Sequence, residues 1–152
     1  MRDSAVQLKE LLPRMEEAFA KGESIRIIPQ GESMLPMLRP GVDCVVLSAV
    51  PERLRKYDLP LYRRDSGQFV LHRIVKVGQT YACVGDNQLC VERGLRHDQM
   101  VALVTAFRRG EKEIPVTALT YQIYCRVWHW SRPVRHVWRS LRYRLRRKHE
   151  RT

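Results

Sequence analysis

The sequence predicts a mainly β domain of the α+β class, a small coiled antiparallel sheet or barrel with a helix at each end. Short runs rich in Val, Ile, Tyr and Phe follow one another through residues 24–115, separated by Gly, Pro and Asp. The segments on either side show helical spacing of apolar residues instead. We therefore divide the 152 residues into an amphipathic N-terminal helix (1–23), a β domain (24–115) and a basic, tryptophan-containing tail (116–152).

The N-terminal segment is predicted to form a helix over residues 4–21. Its apolar residues recur at helical spacing and form one face: Leu8, Leu11, Leu12, Met15 and Phe19. Pro13 interrupts this pattern and predicts a kink or a later start, while Gly22 predicts the end of the helix. We expect the apolar face to pack on the β domain and to close one end of its core.

Six strands are predicted in the β domain. They span residues 25–28, 42–48, 59–63, 68–77, 80–84 and 100–108. Gly67 and the pair at 78–79 have the composition of hairpin turns. Because no helical segment lies between these short strands, antiparallel pairing is expected throughout.

The tail is predicted to form a basic helix that begins near Ser131, with Pro133 in its first turn. The chain carries 28 Lys and Arg against 16 Asp and Glu, a net charge of +12. Residues 121–152 hold ten of these bases and one acid, Glu150, which gives the tail a net charge of +9. All three tryptophans also lie in this segment.

Such a segment favours an anionic partner. We expect residues 131–148 to bind an anionic membrane surface, since the pattern is cationic and apolar on one side. A solvated basic helix is the alternative, and specific nucleic-acid binding is not expected. No apolar run of the ~18 residues needed to cross a bilayer is present. The N-terminus is also too charged for a signal peptide, so a cytoplasmic or peripheral membrane location is expected.

The cysteines do not indicate a metal site. Cys44, Cys83, Cys90 and Cys125 form no C-x-x-C pair, and the histidines do not complete a zinc-ligand spacing. We therefore expect neither a metal nor a cofactor, and interpret the four thiols as unpaired.

The residues that could carry chemistry begin with Ser33, in a Gly- and Pro-rich turn between two predicted strands. Gly31 would permit a close backbone approach, and Pro36 would fix the turn that follows. The hydroxyl of Ser33 could project into a groove, and its amide could bind a developing oxyanion. The alternative is a serine with only a structural role in the turn.

A histidine and an acid follow in the β domain. His72 shares a strand face with Val70 and Ile74, which is typical of a core histidine but also of a neutral general base. Asp86 lies in a Gly-Asp-Asn sequence that could form only a turn. It could instead orient the ring of His72 as the third member of a triad.

Taken together, these motifs resemble those of the type I signal peptidases over roughly residues 25–105. The matching residues, in chain order, are Gly31-x-Ser33-Met34-x-Pro36, then Gly41 and Asp43, then Asp58 to Tyr62, then His72-Arg73-Ile74, and last Gly85-Asp86-Asn87. Most bacterial members have Lys where this chain has His72. The sequence therefore resembles the serine–histidine subgroup found in the endoplasmic reticulum, in archaea and in some bacteria.

The resemblance implies a nucleophile turn formed by Gly31, Ser33, Met34 and Pro36, with Ser33 as nucleophile and His72 as general base. It implies Asp86 as the acid that orients His72. The subgroup offers a second acid six residues later, where this chain has Glu92 instead of Asp. Some members have Ser where this chain has Gly31, so the oxyanion would rely on backbone donors.

The implied function is a serine endopeptidase that cleaves a leader or signal segment from a peptide or preprotein after small residues. One alternative is a self-cleaving regulatory protein like the LexA-type repressors. Only about 24 residues precede the first predicted strand, which is too short for a three-helix DNA reader. The other alternative is a non-catalytic peptide-binding module. The sequence leaves the substrate and the oligomeric state open.

Overall fold

The computed structural model describes residues 3–135 and 137–138. Its α-helices are α1 (Asp3–Ala20) and α2 (Leu119–Trp130), and single-turn 3-10 helices occupy Glu32–Met34 and His97–Gln99. The strands are β1 (Ile25–Ile27), β2 (Cys44–Ser48), β3 (Pro60–Arg63), β4 (Phe69–Leu71), β5 (Arg73–Val77), β6 (Tyr81–Val84), β7 (Glu92–Leu95), β8 (Met100–Arg109) and β9 (Lys112–Pro115).

These strands form two antiparallel sheets. The larger sheet has the order β1-β2-β8-β3-β4, with β9 also paired to β8, and the smaller sheet has the order β5-β6-β7. The ten-residue β8 is central because it pairs with β2, β3 and β9 along its length. The predicted mainly β, α+β class is confirmed. A closed barrel is not confirmed, since the described strands form two separate sheets.

The predicted single strand over residues 68–77 is wrong. The chain leaves the larger sheet after β4 and joins the smaller one at β5, and His72 is the residue between them. Backbone bonds from the segment before β3 hold the start of β5, since Ile74 donates to the Asp58 carbonyl at 2.9 Å. Val70 and Ile74 still share one apolar cluster, as the alternation predicted. Alternation therefore continues across the junction, which is why it did not reveal the break.

The helix α1 agrees with the prediction. It includes Pro13 and ends before Gly22, whose φ of +74° is suited to a residue without a side chain. The apolar face carries Met15, which is 1% exposed within the larger core cluster. The N-terminal helix therefore covers the larger sheet, as expected from its amphipathic pattern.

The helix α2 was not predicted from the sequence. It starts at Leu119, whereas the predicted helix began near Ser131, the residue that follows α2. Tyr121 and Cys125 are its buried residues, one helical turn apart, and this spacing was the overlooked signal. The chain is helical again at 132–135 and 137–138. Residues 139–148 of the predicted membrane-binding segment lie outside the described residues.

Two further strands were not predicted. In β7 the sequence Glu-Arg-Gly-Leu buries only Leu95, and β9 lies at the edge of the larger sheet without a fully buried side chain. Strands with so few buried residues carry no apolar alternation to detect. Among the described residues, none of the helices has the length and apolar character needed to cross a membrane.

Two apolar clusters meet around the sheet junction. The first lies between α1, the larger sheet and α2, and includes Met15, Leu47, Val104, Tyr121 and Cys125. The second lies between the two sheets and includes Tyr62, Val70, Ile74, Cys83, Leu95 and Met100. The chain therefore packs α1 and α2 on one shared core.

A buried ion pair joins the start of β5 to the loop after β6, and α2 is hydrogen-bonded to both partners. Arg73, at the start of β5, donates from Nε and Nη2 to the carboxylate of Asp86 at 2.9 and 2.7 Å, and both side chains are 2% exposed. From α2, Tyr121 accepts a bond from Arg73 at 2.8 Å and Tyr124 donates to Asp86 at 3.1 Å. Burial is the largest single effect on Arg73 and disfavours its charge, but the hydrogen bond to Asp86 and the interactions with Tyr121, Asp86 and Cys125 together raise its pKa well above the ordinary value.

We predict that Arg73→Met lowers the free energy of unfolding by about 3–5 kcal/mol, because it leaves the carboxylate of Asp86 buried without its partner. The matched control is Arg26→Met, which removes an exposed pair with Glu113 and should cost less than about 1 kcal/mol. Urea unfolding followed by circular dichroism measures both. Equal losses in the two variants would contradict the structural role of the buried pair.

Candidate serine–histidine site

The serine predicted as nucleophile lies in a tightly held loop. Ser33 is the middle residue of the 3-10 helix Glu32–Met34 and is half-buried, between the exposed Glu32 and the buried Met34. The loop is closed at its base by the amide of Gly41, which donates to the Pro29 carbonyl at 2.9 Å. Burial of Met34 in the core and closure of the loop together fix where Ser33 lies.

A buried carboxylate holds the far end of this loop. Asp43 is fully buried and accepts bonds from the Arg39 amide at 2.9 Å and from Arg39 Nη2 at 2.6 Å. The hydrogen bond from the Arg39 side chain holds the pKa of Asp43 below its ordinary value. Arg109 of β8 adds a bond to the Met37 carbonyl at 2.6 Å. Gly41 and Asp43 of the motif therefore hold the two ends of the loop of residues 29–43, which carries Ser33.

Ser33 and His72 meet at Gly85. A Cβ atom added to Gly85 would lie 3.1 Å from His72 Nε2, 3.1 Å from Ser33 Cβ and 2.5 Å from the Ser33 carbonyl oxygen. The serine Cβ and the imidazole nitrogen are therefore at most twice 3.1 Å apart. Only glycine fits here, because any side chain would collide with the backbone of Ser33.

Backbone bonds fix this meeting in register. The amide of Asn87 donates to the Ser33 carbonyl at 2.8 Å, and the Asn87 side chain donates to the Glu32 carbonyl at 3.2 Å. The Gly-Asp-Asn sequence thus holds the loop that carries Ser33 against the end of β6. Its glycine supplies the space and its asparagine the attachment.

The other nitrogen of His72 begins a chain of hydrogen bonds. His72 Nδ1 lies 3.1 Å from the Tyr62 hydroxyl, and that hydroxyl donates to Glu92 Oε2 at 2.7 Å. Because the hydroxyl proton is used on Glu92, the oxygen of Tyr62 must accept from His72. Nδ1 therefore carries the proton, and Nε2, which faces Ser33, has a free lone pair.

Glu92 is held as a carboxylate at the end of this chain. Arg64 donates to it from Nε at 2.8 Å and from Nη2 at 2.6 Å. The hydrogen bonds from Arg64 are the main reason that the pKa of Glu92 lies below its ordinary value. Burial raises the pKa of Tyr62 well above its ordinary range, so the phenol keeps its proton. The ionised Glu92 is therefore connected to His72 by two hydrogen bonds through the Tyr62 hydroxyl.

His72 is buried and neutral at physiological pH. Its pKa is lowered to about 4, mainly by burial and also by the charge of Arg64, against the opposing charges of Glu92 and Asp86. The imidazole is therefore in the neutral form that can accept a proton, with Nε2 toward Ser33.

The two candidate acids take different positions. Asp86, favoured by the sequence as the partner of His72, has its carboxylate bound by Arg73 and Tyr124. Its charge still acts on His72, as the pKa of that residue shows. Glu92, the second candidate, is joined to His72 through Tyr62.

The remaining residues of the predicted nucleophile turn are placed as follows. Gly31 is exposed and extended, and an added Cβ there would have no heavy atom within 4 Å. The close approach that the sequence assigned to Gly31 is found at Gly85 instead. Pro36 is exposed and follows a cis peptide bond. Ser33 lies in the first turn of a helix, where its amide has no acceptor within that helix and remains a candidate oxyanion donor.

Sequence reasoning missed Tyr62 and Arg64 as parts of the site. Tyr62 ends the stretch from Asp58 that supported the resemblance, which was its only signal. Arg64 had none, because its pairing with Glu92 joins the residue after β3 to the first residue of β7, which are far apart in the chain. The described residues contain no group of His, Cys, Asp and Glu that could hold a metal ion. The described cysteines are free.

A cavity of about 450 Å³ lies elsewhere, between α1 and strands β3 and β8. Arg64 is among its lining residues, but Ser33, His72 and Gly85 are not. Ser33 and His72 are therefore not part of this cavity.

The chain was compared with models of known protein families and with curated proteins, and neither comparison found a match. The resemblance to the type I signal peptidases therefore depends on the motif residues alone. Of those residues, Ser33 and His72 converge in space at Gly85, which is the geometric basis for the function proposed below.

Proposed function

We propose that the protein is a serine endopeptidase resembling the type I signal peptidases, with Ser33 as nucleophile and His72 as general base. One observation supports this most directly. A Cβ added to Gly85 would lie 3.1 Å from Ser33 Cβ and 3.1 Å from His72 Nε2, so the two side chains are close neighbours. The two sheets and the loop of residues 29–43 would then be a signal-peptidase-like catalytic domain. The substrate is a leader or signal segment of a peptide or preprotein, cut after small residues.

The mechanism begins with a peptide docked in extended form near Ser33. β1 is the outermost strand of the larger sheet and leads into the nucleophile loop, so its edge offers main-chain pairing. His72 Nε2 takes the proton of Ser33 as the hydroxyl oxygen attacks the scissile carbonyl. The resulting imidazolium passes that proton to the leaving amine. Water then repeats the cycle, with His72 as base, and releases the acyl group.

Tyr62 and Glu92 are proposed as positioning residues for His72. The hydroxyl of Tyr62 holds the Nδ1–H tautomer, and Glu92 prevents that hydroxyl from turning its own proton toward the ring. When His72 becomes an imidazolium, the negative charge of Glu92 stabilises it through Tyr62. Asp86 contributes from its ion pair with Arg73, by fixing the loop that carries Gly85.

We predict that Ser33→Ala and His72→Ala each abolish cleavage of a peptide bearing an Ala-x-Ala leader, because each removes one reacting group. Mass spectrometry of the products measures the cut, and a serine-reactive phosphonate should label Ser33 in the wild type but not in Ser33→Ala. Cleavage retained in Ser33→Ala would contradict the assignment of the nucleophile. Failure of the phosphonate to label the wild-type protein would favour a non-catalytic peptide-binding module.

The pH profile tests the positioning residues. The base form of His72 increases as the pH rises through about 4, so kcat/KM of the wild type should rise through that range and be level at neutral pH. We predict that Glu92→Gln moves this acid limb to still lower pH, because the charge of Glu92 raises the pKa of His72. Tyr62→Phe should lower kcat about 10²-fold through loss of the oriented tautomer.

The matched control is Asp65→Asn, which removes an exposed acid paired with Arg96 and should leave the profile unchanged. An acid limb that stays in place in Glu92→Gln would show that Glu92 is not coupled to the base. A Tyr62→Phe variant with the wild-type kcat would show that the Tyr62 hydroxyl does not position the base.

We predict that Gly85→Ala lowers kcat about 10²-fold, because the added methyl must displace Ser33 from His72 and such shifts are costly to catalysis. Gly78→Ala is the control, since its Cβ would lie 3.7 Å from the Thr80 carbonyl, an ordinary contact. Peptide cleavage by both variants, with circular dichroism to verify folding, measures the difference. Similar activities in the two variants would refute close contact at Gly85.

A further inference from the structure

The outward side of α2 and the turn of helix after it is apolar and exposed. Six side chains between 52% and 77% exposed follow one another there: Leu119, Ile123, Val127, Trp130, Val134 and Val137. With about 3.6 residues per turn, these positions fall within an arc of about 80°. We call this set the apolar stripe. Contiguous exposed apolar surface of this kind marks an interaction site.

The stripe is continuous across the end of α2. The amide of Ser131 donates to the Val127 carbonyl at 2.9 Å, and the amide of Arg135 donates to the Ser131 carbonyl at 3.0 Å. Helical bonding therefore carries on past Trp130, and the stripe is about 27 Å long at about 1.5 Å per residue. It begins at Leu119, well before the segment that the sequence assigned to membrane binding.

The opposite side of the same helix is used by the protein itself. Tyr121 and Cys125 are buried in the core, and Trp128 donates to the Asp86 carbonyl at 2.8 Å. The stripe is consequently not part of the fold. Replacing its residues should leave the core unaffected.

The surroundings of the stripe are cationic. Burial lowers the pKa of His129, and the nearby charges of Lys56 and Arg132 lower it further. Burial also lowers the pKa of Arg132, with a contribution from the charge of Arg93. The described part of this segment, residues 121–135 and 137–138, carries Arg126, Arg132 and Arg135 and no acid. Positive charge is thus crowded here, and an anionic surface would relieve the repulsion.

The exposed apolar side chains and the positive charge around them together favour one kind of binding partner. A second copy of the chain would bring a second set of like charges against the first, which opposes pairing through the stripe. A nucleic acid would use the cations but not six exposed apolar side chains. An anionic lipid surface satisfies both, since apolar side chains enter the interface and bases face the headgroups.

We propose that the apolar stripe of residues 119–137 docks the protein on an anionic membrane surface. The inference deepens the proposed function, on which its consequence for substrates rests. The helix that contacts lipid also contacts Asp86, which is adjacent to Gly85 at the meeting point of Ser33 and His72. The site then lies close to the bilayer, about one helix diameter of ~10 Å away. The favoured substrates are leader segments that are themselves adsorbed to or inserted in that membrane.

The test is co-sedimentation of the full-length protein with vesicles of phosphatidylcholine and phosphatidylglycerol, compared with vesicles of phosphatidylcholine alone. We expect wild type to bind the anionic vesicles and Val127→Glu to bind them about tenfold more weakly, because an apolar contact is replaced by a repelled charge. Val77→Glu is the control, an exposed valine at the end of β5 that does not belong to the apolar stripe. Trp130→Ala is a second variant that weakens binding without adding charge.

The proposal would be overturned if the wild type, Val127→Glu and Trp130→Ala bound the anionic vesicles equally. It would also be overturned if the wild type did not bind them. A dimer of the wild type in analytical ultracentrifugation that Val127→Glu dissociates would assign the stripe to a second copy and also overturn it. Circular dichroism establishes that each variant is folded.

A separate measurement distinguishes this proposal from the proposed activity. A short soluble leader peptide should be cleaved equally by wild type and Val127→Glu, whereas a lipid-anchored peptide on anionic vesicles should be cleaved about tenfold faster by wild type. Vesicle binding in the predicted order without any cleavage would refute the peptidase and leave the docking surface standing. Cleavage of the soluble peptide without vesicle binding would refute the docking surface and leave the peptidase standing.

Discussion

The arrangement of the site depends on the buried ion pair between Arg73 and Asp86. Each partner is the chain neighbour of a residue in the site, since Arg73 follows His72 and Asp86 follows Gly85. Pairing the two side chains brings both neighbours together, and the pair is fixed against α2 because Arg73 donates to Tyr121 and Tyr124 donates to Asp86. A buried pair gains little stability over apolar packing, but it is costly to break, so it specifies one register of β5 against the loop after β6.

The position of His72 between two sheets explains its electrostatics. A residue inside one sheet has its side chain confined to one face, whereas at the junction His72 reaches Tyr62 of the larger sheet and the Gly85 loop of the smaller one. Burial at this junction removes water and makes the imidazolium costly, which is why the ring is neutral. The cost is reduced when a proton arrives, because Glu92 is already ionised and connected through Tyr62.

Sequence predicted the parts of the structure that carry a local pattern. The apolar face of α1 and the strands with buried alternation were found, since their signal is periodic in the chain. The break at His72 and the start of α2 were missed. In the first case alternation continues through the junction, and in the second only Tyr121 and Cys125 are fully buried. The link from His72 through Tyr62 to Glu92 joins the junction of β4 and β5 to strands β3 and β7, and no local pattern encodes it.

The helix α2 connects the interior of the site with the surface of the protein. Its inner side is fixed by Arg73 and Asp86, so the helix cannot shift without disturbing the loop that carries Gly85. Its outer side carries the apolar stripe, so a lipid surface that binds the stripe acts on the same rigid element. A ligand changes an equilibrium only through a difference in its affinity for two states. Docking would therefore alter catalysis mainly by bringing enzyme and membrane-bound leader to one surface, which requires no change in the geometry at Ser33.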